Sequence, residues 1–212
     1  MLLYLSSEKP WNTIYTNDSG QALFKCEASS ANTLSTRTFT LYRTLAPSEL
    51  GWQGGEGQGF SAAGEDERFL KDEFEMVGQV VYDVWSSDKS VIKIGKDPFV
   101  EGTSARDMFS KSGWGFYGRN RSFTAPDGSQ YTWKLGASSC SLYPMGTGYL
   151  KHVEPILKFK QATMGIFSKP RPASLEIKGG YEDNLHMLLL TFIYMEKVRI
   201  ERESTLEEAG TI

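Results

Sequence analysis

NLHMLLLTFIYMEK, residues 184–197, decides the fold. Wound into a helix, Leu185, Met187, Leu188, Leu189, Leu190, Phe192, Ile193, Tyr194 and Met195 cover the full circle. A surface helix carries one apolar stripe, whereas a helix that is apolar all round is enclosed by protein or by membrane. This run is too short and too interrupted for a bilayer, which takes about 20 apolar residues. A transmembrane chain is therefore not expected. The helix belongs inside the protein, wrapped by what precedes it.

What precedes it reads as strands. Residues 11–16 and 21–27 flank Asn17-Asp18-Ser19-Gly20, a set of turn formers, so a hairpin is expected. Residues 37–44 alternate, with Phe39 and Leu41 on one side and Thr38 and Thr40 on the other. Residues 75–85 and 90–94 make a second hairpin across Ser86-Ser87-Asp88-Lys89. Residues 106–111 are short and ambiguous, with a helical turn as one reading. Residues 120–125 and 130–135 flank Pro126-Asp127-Gly128, in which Pro presets φ and Gly supplies a positive φ. Three more strands follow at 139–143, 156–160 and 174–178. The helix is expected over 182–203, with Asp183 or Asn184 as its cap.

Between the strands, residues 46–72 are Gly-rich, acidic and without period, as in a long inserted loop. No internal repeat and no low-complexity linker divides the chain. One domain over 11–203 is expected, with 204–212 as a flexible tail. A sheet of roughly nine to twelve strands tends to close or curl. The fold class expected is mainly β (α+β): a closed antiparallel β-barrel around a buried apolar C-terminal helix.

The charge balance, Lys+Arg 23 against Asp+Glu 26 for a net −3, lacks the basic excess of a general nucleic-acid binder. Two cysteines, Cys26 and Cys140, do not make a disulfide scaffold, and both read as small buried residues. The start MLLYLSSEKPW has a four-residue apolar stretch where a secretory signal needs about 7–15. A cytoplasmic protein is expected, peripheral at membranes if lipid is its ligand.

The order of hairpins and then a buried helix resembles the tubby-like superfamily, which includes the tubby C-terminal domain, the plant LURP-one-related proteins and the phospholipid scramblases. Closer still is the likeness to a group of uncharacterised fungal domains common in mushroom-forming species. Ile14-Tyr15-Thr16 before Ala22-Leu23-Phe24-Lys25 carries part of it. Val80-Val81-Tyr82-Asp83-Val84-Trp85 before Val91-Ile92-Lys93-Ile94-Gly95 carries more. Arg121-Ser122-Phe123-Thr124-Ala125-Pro126-Asp127-Gly128 with Tyr131-Thr132-Trp133-Lys134 fits the fungal group's R-x-F…D-G-x-x-Y-x-W pattern. The helix from Leu185 to Arg199 stands where the family's central helix would. The likeness spans residues 11–200 apart from 46–72, and it implies phosphoinositide binding or membrane-lipid association.

Candidate chemistry is sparse. Arg119 and Arg121, at i and i+2 of an extended segment, point to one side and can grip a phosphate; the plainer reading is a solvated strand end. Lys158 and Lys160 alternate with Leu157 and Phe159, as a basic strip towards an acidic membrane or simply the outer face of a barrel. Lys169 and Arg171 can extend that strip or serve as loop charges. Trp114, Phe116 and Tyr117 in SGWGFYG form an exposed contact surface or pack over one barrel end, and their large apolar area favours packing. His152 and His186 read as satisfied core or capping residues.

The chain has no C-x-x-C, H-E-x-x-H, G-x-S-x-G or phosphate-loop pattern, so neither a metal nor a cofactor is called for. The function expected is a non-enzymatic binding module for an anionic phospholipid headgroup or a protein partner. A hydrolase with dispersed residues and a small-ligand carrier barrel are the alternatives.

Overall fold

The computed structural model describes residues 1–29, 33–45, 49, 73–145, 153–163 and 170–210. In chain order the strands are β1 (Leu2–Leu5), β2 (Thr13–Thr16), β3 (Ala22–Ala28), β4 (Thr36–Thr44), β5 (Phe74–Asp83), β6 (Val91–Ile94) and β7 (Thr103–Ser104). A single helical turn, α1 (Ala105–Met108), leads to β8 (Ser110–Ser112), β9 (Asn120–Thr124), β10 (Gln130–Leu135) and β11 (Cys140–Pro144). Then come β12 (Leu157–Lys160), β13 (Ser174–Ile177) and the long helix α2 (Leu185–Glu208).

The thirteen strands among the described residues form one sheet, ordered β7-β6-β5-β4-β3-β2-β1-β13-β12-β11-β10-β9-β8. Every neighbouring pair is antiparallel. Strand β1 joins the two halves, pairing with β2 on one side and β13 on the other. Its inward residues are Leu3 and Leu5, both buried.

The expected closed barrel is corrected in one respect. Among the described residues the hydrogen-bonded ladder does not close, and β7 and β8 are its two edges. The reason is local. The chain leaves β7 through α1, whose turn is capped where Ser104 Oγ accepts from the Asp107 N–H at 3.2 Å. Phe109 then turns inward, with its ring stacked on Tyr194 of α2 at 5.4 Å and edge-on to Phe123 at 5.7 Å. The gap in the ladder is thus filled by a helical turn and an aromatic side chain.

Helix α2 is enclosed as its sequence predicts. Every residue from Leu188 to Glu196 is 0% exposed. Each fully buried Leu, Ile or Phe contributes about 1.5–3 kcal/mol, so this segment anchors the core. Trp133 of β10 donates its indole N–H to Thr191 Oγ1 at 3.2 Å, which fixes the helix against the sheet. The polar residues on the same helix are paired. Arg199 Nε donates to Glu196 Oε1 at 2.8 Å, its NH1 donates to the Ala137 carbonyl at 2.9 Å, and the Cys140 N–H reaches Glu196 Oε2 at 3.3 Å. Both free cysteines are buried, and burial pushes both thiols up, so neither is a ready nucleophile.

The helix boundaries differ from expectation. A 3-10 turn at Glu182–Asn184 precedes Leu185, and Asn184 makes no side-chain cap. Its Nδ2 donates instead to Asp127 Oδ2 at 2.6 Å, tying the helix start to the β9–β10 turn. At the other end α2 continues to Glu208, so most of the expected tail at 204–212 is helical. The expected loop at 46–72 lies outside the described residues apart from Glu49, whose Oε1 stands 2.7 Å from Arg43 NH2. His152 and Lys169 also lie outside them. Among the described residues no helix is long and apolar enough to cross a membrane.

Candidate functional site

The gap in the ladder places charged side chains at one mouth of the curled sheet. Arg121 lies on β9, opposite Lys111 on β8 and Trp133 on β10. Because Trp133 faces the core, Arg121 in the same row faces inward too, and only 6% of it is exposed. Its guanidinium lies over the Tyr194 ring at 5.6 Å, and NH1 approaches Met195 Sδ at 3.9 Å. The Asp88 carboxylate comes from the turn before β6, across the gap. Asp88 Oδ1 is 3.8 Å from Arg121 NH2, beyond hydrogen-bonding distance. Among the described residues no oxygen accepts a hydrogen bond from Arg121.

Arg121, Lys111 and Asp88 line a cavity of about 330 Å³ together with Tyr82, Trp85, Arg119, Glu201, Arg202 and Thr205. That is near the lower end of the range for small-ligand sites, about 300–1,000 Å³. The helix contributes Val198, Glu201, Arg202 and Thr205, which share one face at i, i+3, i+4 and i+7.

Four cations and two carboxylates line this space. Each carboxylate already has a cation. Lys111 Nζ is 2.5 Å from Asp88 Oδ2, and Lys197 Nζ is 3.1 Å from Glu201 Oε1. Tyr82 also donates its hydroxyl to Glu201 Oε2 at 2.5 Å, and burial together with that carboxylate raises its pKa. Burial alone would raise the Asp88 carboxyl. Lys111, Arg121 and Arg106 outweigh it and hold Asp88 below the usual carboxylate range. Among the described residues three of these cations therefore remain without a carboxylate within hydrogen-bonding distance: Arg119, Arg121 and Arg202. Asp88 Oδ1 is itself buried with no hydrogen-bond partner among the described residues.

A second cavity of about 390 Å³ adjoins the first and shares Gly118, Arg119 and Arg202 with it. Trp114, Gly115, Phe116 and Leu206 complete its lining.

The family of unknown function DUF6593 matches residues 8–201, which take in every strand from β2 to β13 and α2 as far as Glu201. The chain belongs to DUF6593. No curated protein and no solved structure matches it.

In this DUF6593 chain the four candidate cations separate into two places. Arg119 and Arg121 line the same cavity, but not as the same-side pair expected of positions i and i+2. Arg121 is inside. Arg119 is exposed and spends two donors on the edge of β8, with Nε to the Gly113 carbonyl at 3.3 Å and NH2 to the Lys111 carbonyl at 3.2 Å. Lys158 and Lys160 lie elsewhere, on β12. Lys160 Nζ is 2.5 Å from Glu176 Oε1, and Lys158 stands opposite Glu176 in the ladder. Lys158 lines a separate cavity of about 700 Å³ beside Asp18, Glu154 and Glu176, so its surroundings are of mixed charge and not a basic strip.

Two further expectations change. Trp114 and Phe116 do not pack over the barrel end, being 99% and 60% exposed, whereas the half-buried Tyr117 does rest against the core. His186 is half-buried and edge-on to Phe24 at 5.8 Å. Among the described residues no group of three or more His, Cys, Asp or Glu is placed to hold a metal ion. Lys111, Asp88 and Arg202 escaped the sequence reading because a turn, an edge strand and the last turns of α2 deliver them separately. The one available signal was Arg202, which recurs with Val198 at i+4 beyond the apolar run.

Proposed function

We propose that this protein is a non-enzymatic module that binds the phosphorylated headgroup of an anionic phospholipid in the cavity around Arg121. One observation carries the reading. A guanidinium that is almost wholly buried faces an open cavity, and among the described residues no oxygen acceptor stands at hydrogen-bonding distance from it. Leaving such a charge unsatisfied is costly, and a phosphate oxygen is its natural partner. Beside it Asp88 Oδ1 lacks a donor among the described residues. A headgroup that carries a phosphate next to a hydroxyl satisfies both, the phosphate accepting from Arg121 and the hydroxyl donating to Asp88. Arg119 and Arg202 at the mouth add long-range attraction. The likeness of residues 11–200 to the tubby-like, LURP-one-related and scramblase group supports the same ligand class.

The test compares wild-type protein with Arg121→Met, which keeps a long apolar side chain against Tyr194 and Met195. Calorimetry with inositol trisphosphate and flotation with phosphatidylcholine vesicles, with and without phosphatidylinositol phosphate, provide the readouts. Removing one charge-assisted contact is expected to weaken headgroup binding by roughly ten- to a hundredfold, the equivalent of about 1.5–3 kcal/mol. Equal affinity of the two proteins for inositol trisphosphate would remove Arg121 from the site. Binding of inorganic phosphate as tight as that of the headgroup would point to a free anion as ligand instead of a lipid.

A further inference from the structure

We infer that Trp85, Trp114 and Phe116 form an aromatic rim that enters the interfacial layer of an anionic bilayer and seats the mouth of the Arg121 cavity on the membrane. The inference rests on the headgroup reading above and adds how the protein meets the lipid. Trp114 is 99% exposed, Trp85 80% and Phe116 60%. Trp85 lines the Arg121 cavity, and Trp114 and Phe116 line the adjoining one; both cavities share Gly118, Arg119 and Arg202. The three aromatics therefore flank one basic mouth.

Large aromatic side chains normally find burial, and several left bare around one opening mark a contact surface. What distinguishes the occupant is charge. Arg202 has no ion pair among the described residues, and Arg119 donates only to backbone carbonyls. Exposed Trp and Phe interleaved with unneutralised Arg fit a surface that is apolar at depth and anionic at its face, and the headgroup layer of an acidic membrane has that character. The backbone of the aromatic segment suits this role. Gly113 and Gly118 both adopt positive φ, and the Gly118 N–H bonds the Gly115 carbonyl at 3.1 Å. A tight turn thus presents Trp114 and Phe116 outward on a short stem.

The experiment uses the full chain and the double variant Trp114→Ser with Phe116→Ser. Both residues are exposed, so the fold should persist, and thermal unfolding checks that it does. Flotation with phosphatidylcholine vesicles containing phosphatidylserine and phosphatidylinositol phosphate measures membrane binding. Calorimetry with inositol trisphosphate measures the cavity alone. The double variant is expected to lose about tenfold or more in vesicle affinity while keeping its affinity for inositol trisphosphate. Wild-type tryptophan emission is expected to be quenched by lipids brominated in the acyl chain, and to a lesser degree in the Trp114→Phe variant. Undiminished flotation of the double variant, or no quenching, overturns the rim. Wild-type protein that binds inositol trisphosphate but no vesicle also overturns it and leaves the headgroup cavity standing. Protein that binds vesicles but not inositol trisphosphate removes the cavity reading and shows that the aromatics bind without it.

Discussion

His186 is a titratable side chain whose surroundings oppose its charge. Burial, and then the positive charge of Arg43, lower its pKa, and the carboxylate of Glu75 offsets this only in part. Its folded value therefore lies below the unfolded value of about 6.5. The fold favours the neutral ring, so its contribution to stability is present above the unfolded pKa and is lost as pH falls through the folded one. Asp88 also has a lowered pKa, but its pH window lies lower, below the ordinary carboxylate range, so the two groups separate. His186→Phe should pack against Phe24 without titrating. Urea unfolding of the wild type should show stability falling from about pH 7 to pH 5, with a shallower fall in the variant. Parallel curves would mean that the imidazole is as well solvated in the folded chain as in the unfolded one.

Among the elements, β5 and α2 approach each other closely at Gly78. A Cβ added at Gly78 would lie 2.4 Å from Leu190 Cδ1 and 2.6 Å from the Lys93 carbonyl oxygen. The leucine can rotate, but the carbonyl belongs to β6 and is fixed by the β5–β6 ladder. Gly78→Ala is expected to destabilise by about 1–3 kcal/mol, as overpacking does. The urea midpoint should fall at an unchanged slope, and an unaltered midpoint would place β5 farther from α2. The absence of a side chain at Gly78 is visible in the sequence, but its purpose is not, because it depends on a helix more than a hundred residues away in the chain. The helix itself was legible because its apolar residues fill every face. The hairpins were legible because Asn17-Asp18-Ser19-Gly20 and Pro126-Asp127-Gly128 supply turns with a mechanism; Gly20 and Gly128 do adopt positive φ. Strands β1, β7 and β8 were not, since runs of two to four residues show no period.

At the scale of the molecule, the place where the sheet fails to close and the place where cations gather are one and the same. Tyr82 and Asp88 come from the β5–β6 side, Lys111 and Arg121 from the β8–β9 side, and Arg202 from the helix between them. Sequence reading found Arg119 and Arg121 as two residues pointing to one side of an extended segment, and it expected a closed barrel, so it had no seam in which to bury one of them. Side chains hold this seam where backbone hydrogen bonds hold the rest: the Phe109–Tyr194 stack, and the Lys111–Asp88 pair that crosses it. Side-chain contacts at short edge strands open more easily than a central ladder. Amide hydrogen exchange in β7 and β8 should therefore run ahead of that in β3 and β4. Phe109→Ala should widen the difference, because it removes the wedge that fills the gap, and should lower global stability by about 3–5 kcal/mol. If β8 exchanges only at the rate of global unfolding in both proteins, the seam is as firmly shut as a hydrogen-bonded barrel. If instead inositol trisphosphate slows exchange in β8 and the Asp88 turn but not in β3, the ligand is bridging the two edges of the sheet. Tightening of the seam would then be a consequence of binding, because the groups that recognise the anion stand on both sides of it.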